Sequence, residues 1–200
     1  FRLNKNEDSS SVLSHFIDYQ FNYSGNYTKY SDANSGAESF YNVFYLDTAA
    51  TKDSTHWRTI SNGLNYTLKI NPIDAKMKFG YKNEINQVHQ YYDSLFSNHI
   101  LNAGLYITRE HYEGFVKVNY IAEGSNQNDY SLEIGNRYMQ MIAKVPFILK
   151  LNASIEKRHP DFILNTWLSN HYAWNNNFSP TDKQQALFSI STADNRFDIG

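Results

Sequence analysis

The chain has 200 residues, with 18 basic and 20 acidic side chains and a formal net charge of −2. This balance gives no argument for nucleic acid as a partner, and the lack of cysteine excludes disulfides and thiolate zinc sites. Aromatic residues make up 16% although the mean hydropathy is −0.60, a combination typical of membrane β-barrels, in which only every second strand residue meets lipid. The sequence contains no run of about 18 apolar residues, so it predicts no transmembrane helix.

The first predicted strands alternate between apolar and polar residues, with one lapse on the apolar parity at Asn62. In residues 17–23 the apolar positions are Ile17, Tyr19, Phe21 and Tyr23. Residues 60–70 repeat the alternation, and so do residues 75–82. The link at 71–74 contains Asn, Pro and Asp, which favour chain reversal. We therefore predict a hairpin with its turn at 71–74.

The later part of the chain continues the same pattern. Alternating segments occur at 101–108, 116–122, 130–134 and 147–156, with a predicted break of register at Gly135 and Asn136. Residues 165–178 alternate less strictly and are also interpreted as a strand, and a last strand is predicted at 186–191.

The predicted connections are of two kinds. Short ones occur at 71–74, 109–111 and 143–146, and longer polar ones at 47–56, 85–98 and 123–129. Outer-membrane barrels show this difference between tight turns and external loops. We predict an all-β fold, an antiparallel transmembrane β-barrel or part of a larger one, with about ten strands in this chain. A soluble antiparallel sheet with one buried face is the alternative, because it produces the same alternation.

The predicted polar face supplies candidates for a pore lining. They are Lys69, Lys78, Lys82, Lys117, Lys150 and Glu156. Mixed charges in a water-filled interior predict weak ion selectivity, since rings of one sign discriminate strongly. The alternative is that these side chains merely cover a solvated strand face.

The sequence contains no local signature of catalysis. It has no nucleophile elbow, no P-loop and no dinucleotide-binding glycine pattern, and its seven histidines are scattered without metal-ligand spacing. We therefore predict that the protein is not an enzyme and has no catalytic residues, metal or cofactor.

The segment HPDFILNTWLSNHYAWNNNF, residues 159–178, resembles the signature region of the putative porins of Bacteroidota, which are large outer-membrane barrels. The matching residues are His159, Pro160, Phe162, Ser169, Asn170, His171, Trp174 and Asn176. The resemblance implies a location in the cell outer membrane and passive diffusion of small solutes. It implies outer-membrane lipid and small solutes as partners, with other envelope proteins as further candidates.

Two departures from that family concern the extent of the chain. Members are much longer, and outer-membrane barrels usually end in a strand with a terminal aromatic residue, whereas this chain stops at Asp198, Ile199 and Gly200. We therefore predict that residues 1–200 are one outer-membrane barrel region that is incomplete at one or both ends.

A second resemblance concerns modification. The tripeptides that begin at Asp47, Asp53 and Asp93 are similar to the Asp-Ser/Thr-X acceptor motif for O-glycans in the same bacterial group. They imply candidate O-glycosylation at Thr48, Ser54 and Ser94, all in predicted longer loops.

Two other functions stay open. One is a non-conducting outer-membrane barrel that acts as a scaffold or accessory subunit of an envelope complex. The other is a secreted all-β module that binds glycans, for which Trp167 and Trp174 could stack on sugars. Tryptophan near a strand end in a membrane barrel is more often an interfacial anchor, and we favour that interpretation for both.

Overall fold

The computed structural model describes residues 2–4, 12–32, 41, 43–48, 50–192 and 198–199. Its strands are β1 (Arg2–Asn4), β2 (Leu13–Asp32), β3 (Thr51–Ile70), β4 (Ala75–His89), β5 (Asp93–Arg109), β6 (Tyr112–Gly124), β7 (Tyr130–Ile142), β8 (Val145–Arg158), β9 (Thr166–Leu168), β10 (Ala173–Asn175), β11 (Thr181–Thr192) and β12 (Asp198–Ile199). The helical turn α1 covers Phe162–Asn165.

The main sheet is antiparallel and contains ten strands, in the order β1 to β8, then β11 and β12. Each strand pairs with its neighbour in the chain, except that β8 pairs directly with β11. The strands β9 and β10 form a separate hairpin. Within the described residues β1 and β12 are the edges of an open sheet. The predictions of an all-β antiparallel fold and of about ten strands are confirmed.

The predicted tight turns are confirmed at one end of the sheet, which we call the turn end. Asn71–Ile73 form a 3-10 turn, and Asp74 follows in the left-handed region with φ 44°. Ala143 and Lys144 join β7 to β8 with φ of 52° and 67°. Positive φ at both central residues is what a type I′ hairpin requires. The opposite end, with the connections at 90–92, 125–129 and 159–180, is the loop end.

The prediction of a longer loop is wrong for two stretches of the chain, 47–56 and 85–98. Strand β3 already begins at Thr51, β4 continues to His89, and β5 begins at Asp93, so most of 47–56 and 85–98 is strand; residue 49 lies outside the described residues. The polarity of these stretches suggested loops. Backbone pairing continues past the apolar part of each strand, because a ladder needs paired amides and carbonyls rather than apolar side chains.

The predicted break at Gly135 and Asn136 is also wrong. Both residues lie inside the continuous strand β7, where Gly135 pairs with Phe115. The Phe115 ring lies over the position where a Gly135 Cβ would be. The glycine therefore provides space for a neighbouring ring, and the register shift occurs instead between His99 and Ile100.

The strand predicted at 165–178 is replaced by a folded segment. Residues 162–165 form α1, and 166–168 and 173–175 form the small hairpin of β9 and β10. We call residues 159–178 the inner segment. Its asparagines and aromatic residues make contacts outside the main sheet, which explains why its alternation is loose.

Few apolar side chains are buried. Among the described residues the buried hydrophobic ones are Phe16, Ala75 and Val88. Large apolar side chains are exposed throughout, such as Phe21 at 62% and Leu64 at 53%. No helix in the described part of the chain is both long and apolar enough to cross a membrane.

Candidate functional site

Strand register divides the main sheet into two faces. One row across β3 to β7 joins Asn65, Gly80, Asn102, Asn119 and Ser131. The adjacent row on the other side joins Leu64, Tyr81, Leu101, Tyr120 and Tyr130. Because successive side chains of a strand point to opposite faces, these rows define a polar face and an apolar face.

All six pore-lining candidates lie on the polar face. One row joins Thr67, Lys78, Gly104, Lys117, Glu133 and Ser154. By the two-residue period, Lys69 and Lys82 share this face with Lys78, and Lys150 and Glu156 share it with Ser154. Their role in a pore stays a prediction.

Several charges on the polar face are paired with each other. Nζ of Lys82 lies 2.8 Å from Glu84, and Nζ of Lys117 lies 3.2 Å from Glu133. Arg158 lies 3.4 Å from Glu156. These pairs are partly exposed, so each contributes little to stability, but they cancel charge locally.

The inner segment lies over the polar face at the loop end. Phe162 stacks on Phe96 with ring centroids 5.3 Å apart, and its ring meets Trp57 edge-on at 6.2 Å. Trp57 and Phe96 belong to the polar face because they share the parity of Asn65 and Asn102. The connection between β8 and β11 therefore folds inward across the polar face.

Asn170 fastens the inner segment to the residues around the start of β3. Its Nδ2 donates to the Asp47 carbonyl at 2.8 Å and to Thr51 Oγ1 at 2.9 Å. Its Oδ1 accepts from the amides of Leu46 at 3.1 Å and Asp47 at 2.9 Å. Its own amide donates to Asp53 at 2.9 Å. Asn170 is 1% exposed, so the side chain satisfies its full bonding capacity inside the protein.

His171 extends the same attachment. Its Nδ1 lies 3.3 Å from the Val43 carbonyl oxygen, and its Nε2 lies 2.7 Å from Thr51 Oγ1. A carbonyl can only accept, so Nδ1 carries a proton; in the neutral imidazole Nε2 then accepts from the Thr51 hydroxyl. The imidazole also stacks on Tyr41 at 3.7 Å. His171 lies in the turn between β9 and β10 rather than in the strand predicted at 165–178.

Other residues of the family motif close the small hairpin. Nε1 of Trp174 donates to the Ile163 carbonyl at 3.0 Å, and Nδ2 of Asn176 donates to the Leu164 carbonyl at 3.1 Å. These bonds supply donors to carbonyls that have no hydrogen-bond partner within a short helical turn. The Ser169 hydroxyl donates to the Tyr172 carbonyl at 3.1 Å and shapes the turn.

Trp167 and Trp174 stack on each other across the hairpin, with ring centroids 5.7 Å apart. They belong to the inner segment rather than to a strand of the main sheet. The interpretation of these residues as anchors at strand ends is therefore wrong about their position, because residues 165–178 leave the sheet.

The start of the inner segment is held by Asp129. This residue is 5% exposed, and its Oδ2 accepts from the His159 amide at 2.9 Å. The His159 ring nitrogen Nδ1 lies 2.5 Å from Asp129 Oδ1. Pro160 follows directly, and a residue that lacks an amide hydrogen cannot continue the ladder of β8. Together they turn the chain inward.

A cavity of about 590 Å³ lies between this start of the inner segment and the polar face. Residues that line it include Lys82, Glu84, Asn102, Asn119, Glu156 and His159. It offers hydrogen-bonding groups and largely paired charges. Among the described residues, no group of three or more His, Asp or Glu side chains could hold a metal ion.

Replacing Asp129 by alanine is expected to loosen the first part of the inner segment. The buried carboxylate accepts one bond from the His159 backbone amide and one from Nδ1 of its ring, and a hydrogen bond to a charged group contributes about 1.5–3 kcal/mol. We expect the free energy of local opening at residues 159–165 to fall by at least the lower of these values, as measured by hydrogen exchange of the purified protein. The control is Asp161→Ala, which removes an exposed carboxylate from the same segment. It should change the free energy of local opening by less than about 0.5 kcal/mol. Equal changes of the opening free energy in Asp129→Ala and Asp161→Ala would contradict the role of Asp129 in holding the inner segment.

The O-glycosylation candidates occupy different positions from those expected. Thr48 is exposed in the segment before β3, but Ser54 lies within β3 and Ser94 within β5. The expectation that all three lie in loops is therefore wrong for Ser54 and Ser94. Modification itself stays a prediction.

Sequence reasoning missed the residues that hold the inner segment. They are Thr51, Asp53, Trp57, Phe96 and Asp129, and each lies far along the chain from its partner. No local pattern marks them, because their importance arises from pairing across the fold.

Comparison with known proteins identifies a family. The family model described as Putative porin matches residues 1–199. Searches of curated proteins and of solved structures found no significant match. The family match covers nearly the whole chain, including the motif at 159–178 that forms the inner segment, and so the chain belongs to the Putative porin family.

Proposed function

We propose that this chain forms part or all of a β-barrel in the bacterial outer membrane, in the Bacteroidota, and that small polar solutes diffuse passively along its polar face. The observation that carries the proposal is the exposure of the apolar face. Soluble proteins rarely expose contiguous apolar patches larger than a few hundred Å², about 300–600 Å² at most on a typical monomer. Here large apolar residues are exposed on β2 to β8, such as Tyr19, Leu64, Tyr81, Leu101 and Ile155.

Tyrosines mark two levels on the apolar face. Tyr120 of β6 lies opposite Tyr130 of β7, and Tyr112 lies opposite Tyr138 nearer the turn end. Between them the same face carries residues such as Val118 and Ile134. At about 3.3 Å per residue the two levels are about 26 Å apart along the strands. A strand tilt of about 40° reduces this separation to about 20 Å along the membrane normal, which is of the same order as the apolar band of about 25 Å in outer-membrane barrels. Tyrosine favours both membrane interfaces.

Strand length agrees with this proposal. β5 has 17 residues and β8 has 14, whereas a tilted strand crosses a bilayer with about 9–11. The strands are long enough to span and to extend beyond the membrane at the loop end. Closure with further strands would pair the two edges of the sheet, as hydrocarbon surroundings require.

The inner segment favours a second candidate function. Because it lies over the polar face at the loop end and is attached at both His159 and Asn170, it narrows any path along that face. A complete block would make the protein a non-conducting barrel that serves as a scaffold or accessory subunit. A partial block would make the inner segment the constriction of a channel.

Single-channel recording separates these two functions. The full-length protein, purified in detergent and inserted into a planar bilayer, is expected to give discrete current steps whose size grows with salt concentration. Silence despite verified insertion would contradict the channel and favour the scaffold. Stable solubility without detergent would contradict both and favour a secreted module.

A further inference from the structure

One row in the middle of the polar face is uncharged on five consecutive strands, β3 to β7. Its members are Asn65, Gly80, Asn102, Asn119 and Ser131. Charges flank the row at its two ends, with Asp18 on β2 and Glu156 on β8. Asparagine amides donate and accept hydrogen bonds, and so does a serine hydroxyl. The row therefore offers hydrogen bonds in both directions between two charged ends.

Gly80 brings two of these amides together. A Cβ on Gly80 would collide with the Oδ1 atoms of both Asn65 and Asn102, so the two side chains lean over the glycine from opposite sides. Both asparagines are partly exposed. Within the part of the chain that the structure describes, neither side-chain amide has a hydrogen-bond partner. Two neighbouring amides are thus open to a solute that both donates and accepts.

The cavity of about 590 Å³ at the start of the inner segment lies over this row. Four asparagines and a serine line it: Asn98, Asn102, Asn119, Asn126 and Ser131. Ile100 and Ile121 add apolar surface. A volume of about 300–1,000 Å³, with apolar surface and a few placed polar groups, is what small-molecule sites show.

A second cavity, of about 460 Å³, adjoins the first and shares Asn98 and Asn126 with it. Its lining includes the aromatic residues Trp57 and Phe96. Asn165 also lines it, and Oδ1 of this residue is buried without a hydrogen-bond partner among the described residues. A buried acceptor is unfavourable without a donor, which a hydroxyl group of a bound solute would supply.

The charges around the first cavity are largely paired with each other. Its lining contains eight carboxylate, basic or histidine side chains, and six of them form three pairs: Lys82 with Glu84, Arg158 with Glu156, and His159 with Asp129. The other two, Lys157 and Asp161, have opposite signs, and Lys183 on β11 lies opposite Glu156. An ion that enters must compete with these pairs, whereas an uncharged solute leaves them intact.

We infer that the two cavities beneath the inner segment bind small uncharged solutes rich in hydroxyl groups, which is the chemistry of sugars. Each solute hydroxyl donates one hydrogen bond and accepts others, as the amides of Asn102 and Asn119 do. Trp57 and Phe96 offer flat apolar surface to the C–H face of a sugar ring. The site rests on the proposed function for its place in a pore, and it deepens that function by naming the solute class.

Maltose is the probe, and its binding to the full-length protein is measured by calorimetry in a detergent that has no sugar headgroup. We expect saturable binding that Asn102→Leu with Asn119→Leu weakens by about tenfold or more, because two hydrogen-bonding amides are lost. Asn136→Leu makes the same change on the apolar face and should leave maltose binding unchanged. If the double leucine variant does not fold, the same loss is expected for Asn102→Ala with Asn119→Ala.

Competition with bound maltose identifies the solute class. Glucose, gluconate and glucosamine are of nearly equal size, but the first is neutral, the second anionic and the third cationic. We expect glucose to displace maltose and the two ions to be weaker competitors, since they must compete with the ion pairs of the lining. Equal displacement by all three would overturn the preference for uncharged solutes.

Maltose should also reduce the ion current of the wild-type channel in a planar bilayer, and should reduce that of the leucine variant much less. No maltose binding by the wild type, or equal binding by the leucine variant, would overturn the site. Binding without any current would overturn the proposed channel and leave the site standing. Current without maltose binding would overturn the site and leave the channel standing.

Discussion

Asn170→Ala is expected to release the inner segment from the start of β3. The substitution removes four side-chain hydrogen bonds at 2.8–3.1 Å and leaves the Leu46 and Asp47 amides without their acceptor in a partly buried site. Each unsatisfied buried group costs about 1–3 kcal/mol. We expect the free energy of local opening to fall by about 3 kcal/mol in total, so that amide exchange in residues 166–175 becomes faster by about two orders of magnitude.

Asn177→Ala is the matched control, since Asn177 is an exposed asparagine of the same segment. It should change the opening free energy by less than about 0.5 kcal/mol.

In single-channel records Asn170→Ala should also raise the fluctuation of the open current if the inner segment is a constriction. Unchanged exchange in Asn170→Ala would show that other contacts, such as the stacking of Phe162 on Phe96, suffice to hold the segment.

Ile134→Arg is expected to destabilise the protein in lipid by about 2–4 kcal/mol. Ile134 lies on the apolar face midway between Tyr130 and Tyr138 and is 44% exposed. In the proposed membrane it meets the middle of the hydrocarbon, where arginine on the lipid face of a barrel costs about that much. Unfolding by guanidinium in lipid vesicles, followed by tryptophan fluorescence, measures the change.

Asn119→Arg is the control for the opposite face. Asn119 is exposed on the polar face, next to Ser131, and an arginine there would stay in water. We expect its effect to be less than about 0.5 kcal/mol. If both arginines had the same effect, the apolar face would not meet lipid, and the membrane assignment would fail.

The alternation of the sequence predicts the faces well because the two-residue period is a property of any extended strand. Ile17, Leu64 and Leu101 therefore lie on one face as expected, and Lys78 and Lys117 on the other. The turn at 71–74 was predictable for an equally local reason, since Pro72 and Asp74 restrict the backbone themselves.

Strand ends were less predictable because backbone pairing sets them. Asn86 and His89 look like loop residues, yet they continue β4 because β3 and β5 offer partners on both sides. The inner segment is the larger failure of sequence reasoning. Its looser alternation was interpreted as a strand, whereas Asn170 finds its partners at Asp47, Thr51 and Asp53, far away in the chain.

By itself, the sequence determined the all-β class, the two faces, the tight turns and, through the motif at 159–178, the family of this protein. Each of these depends on a local period or a short pattern. Tertiary structure alone decided that the motif folds across the polar face and that Gly80 lies between Asn65 and Asn102, which brings their amides together. The reason is physical: strand register and long-range hydrogen bonds join residues whose distance in the chain carries no information about their distance in space.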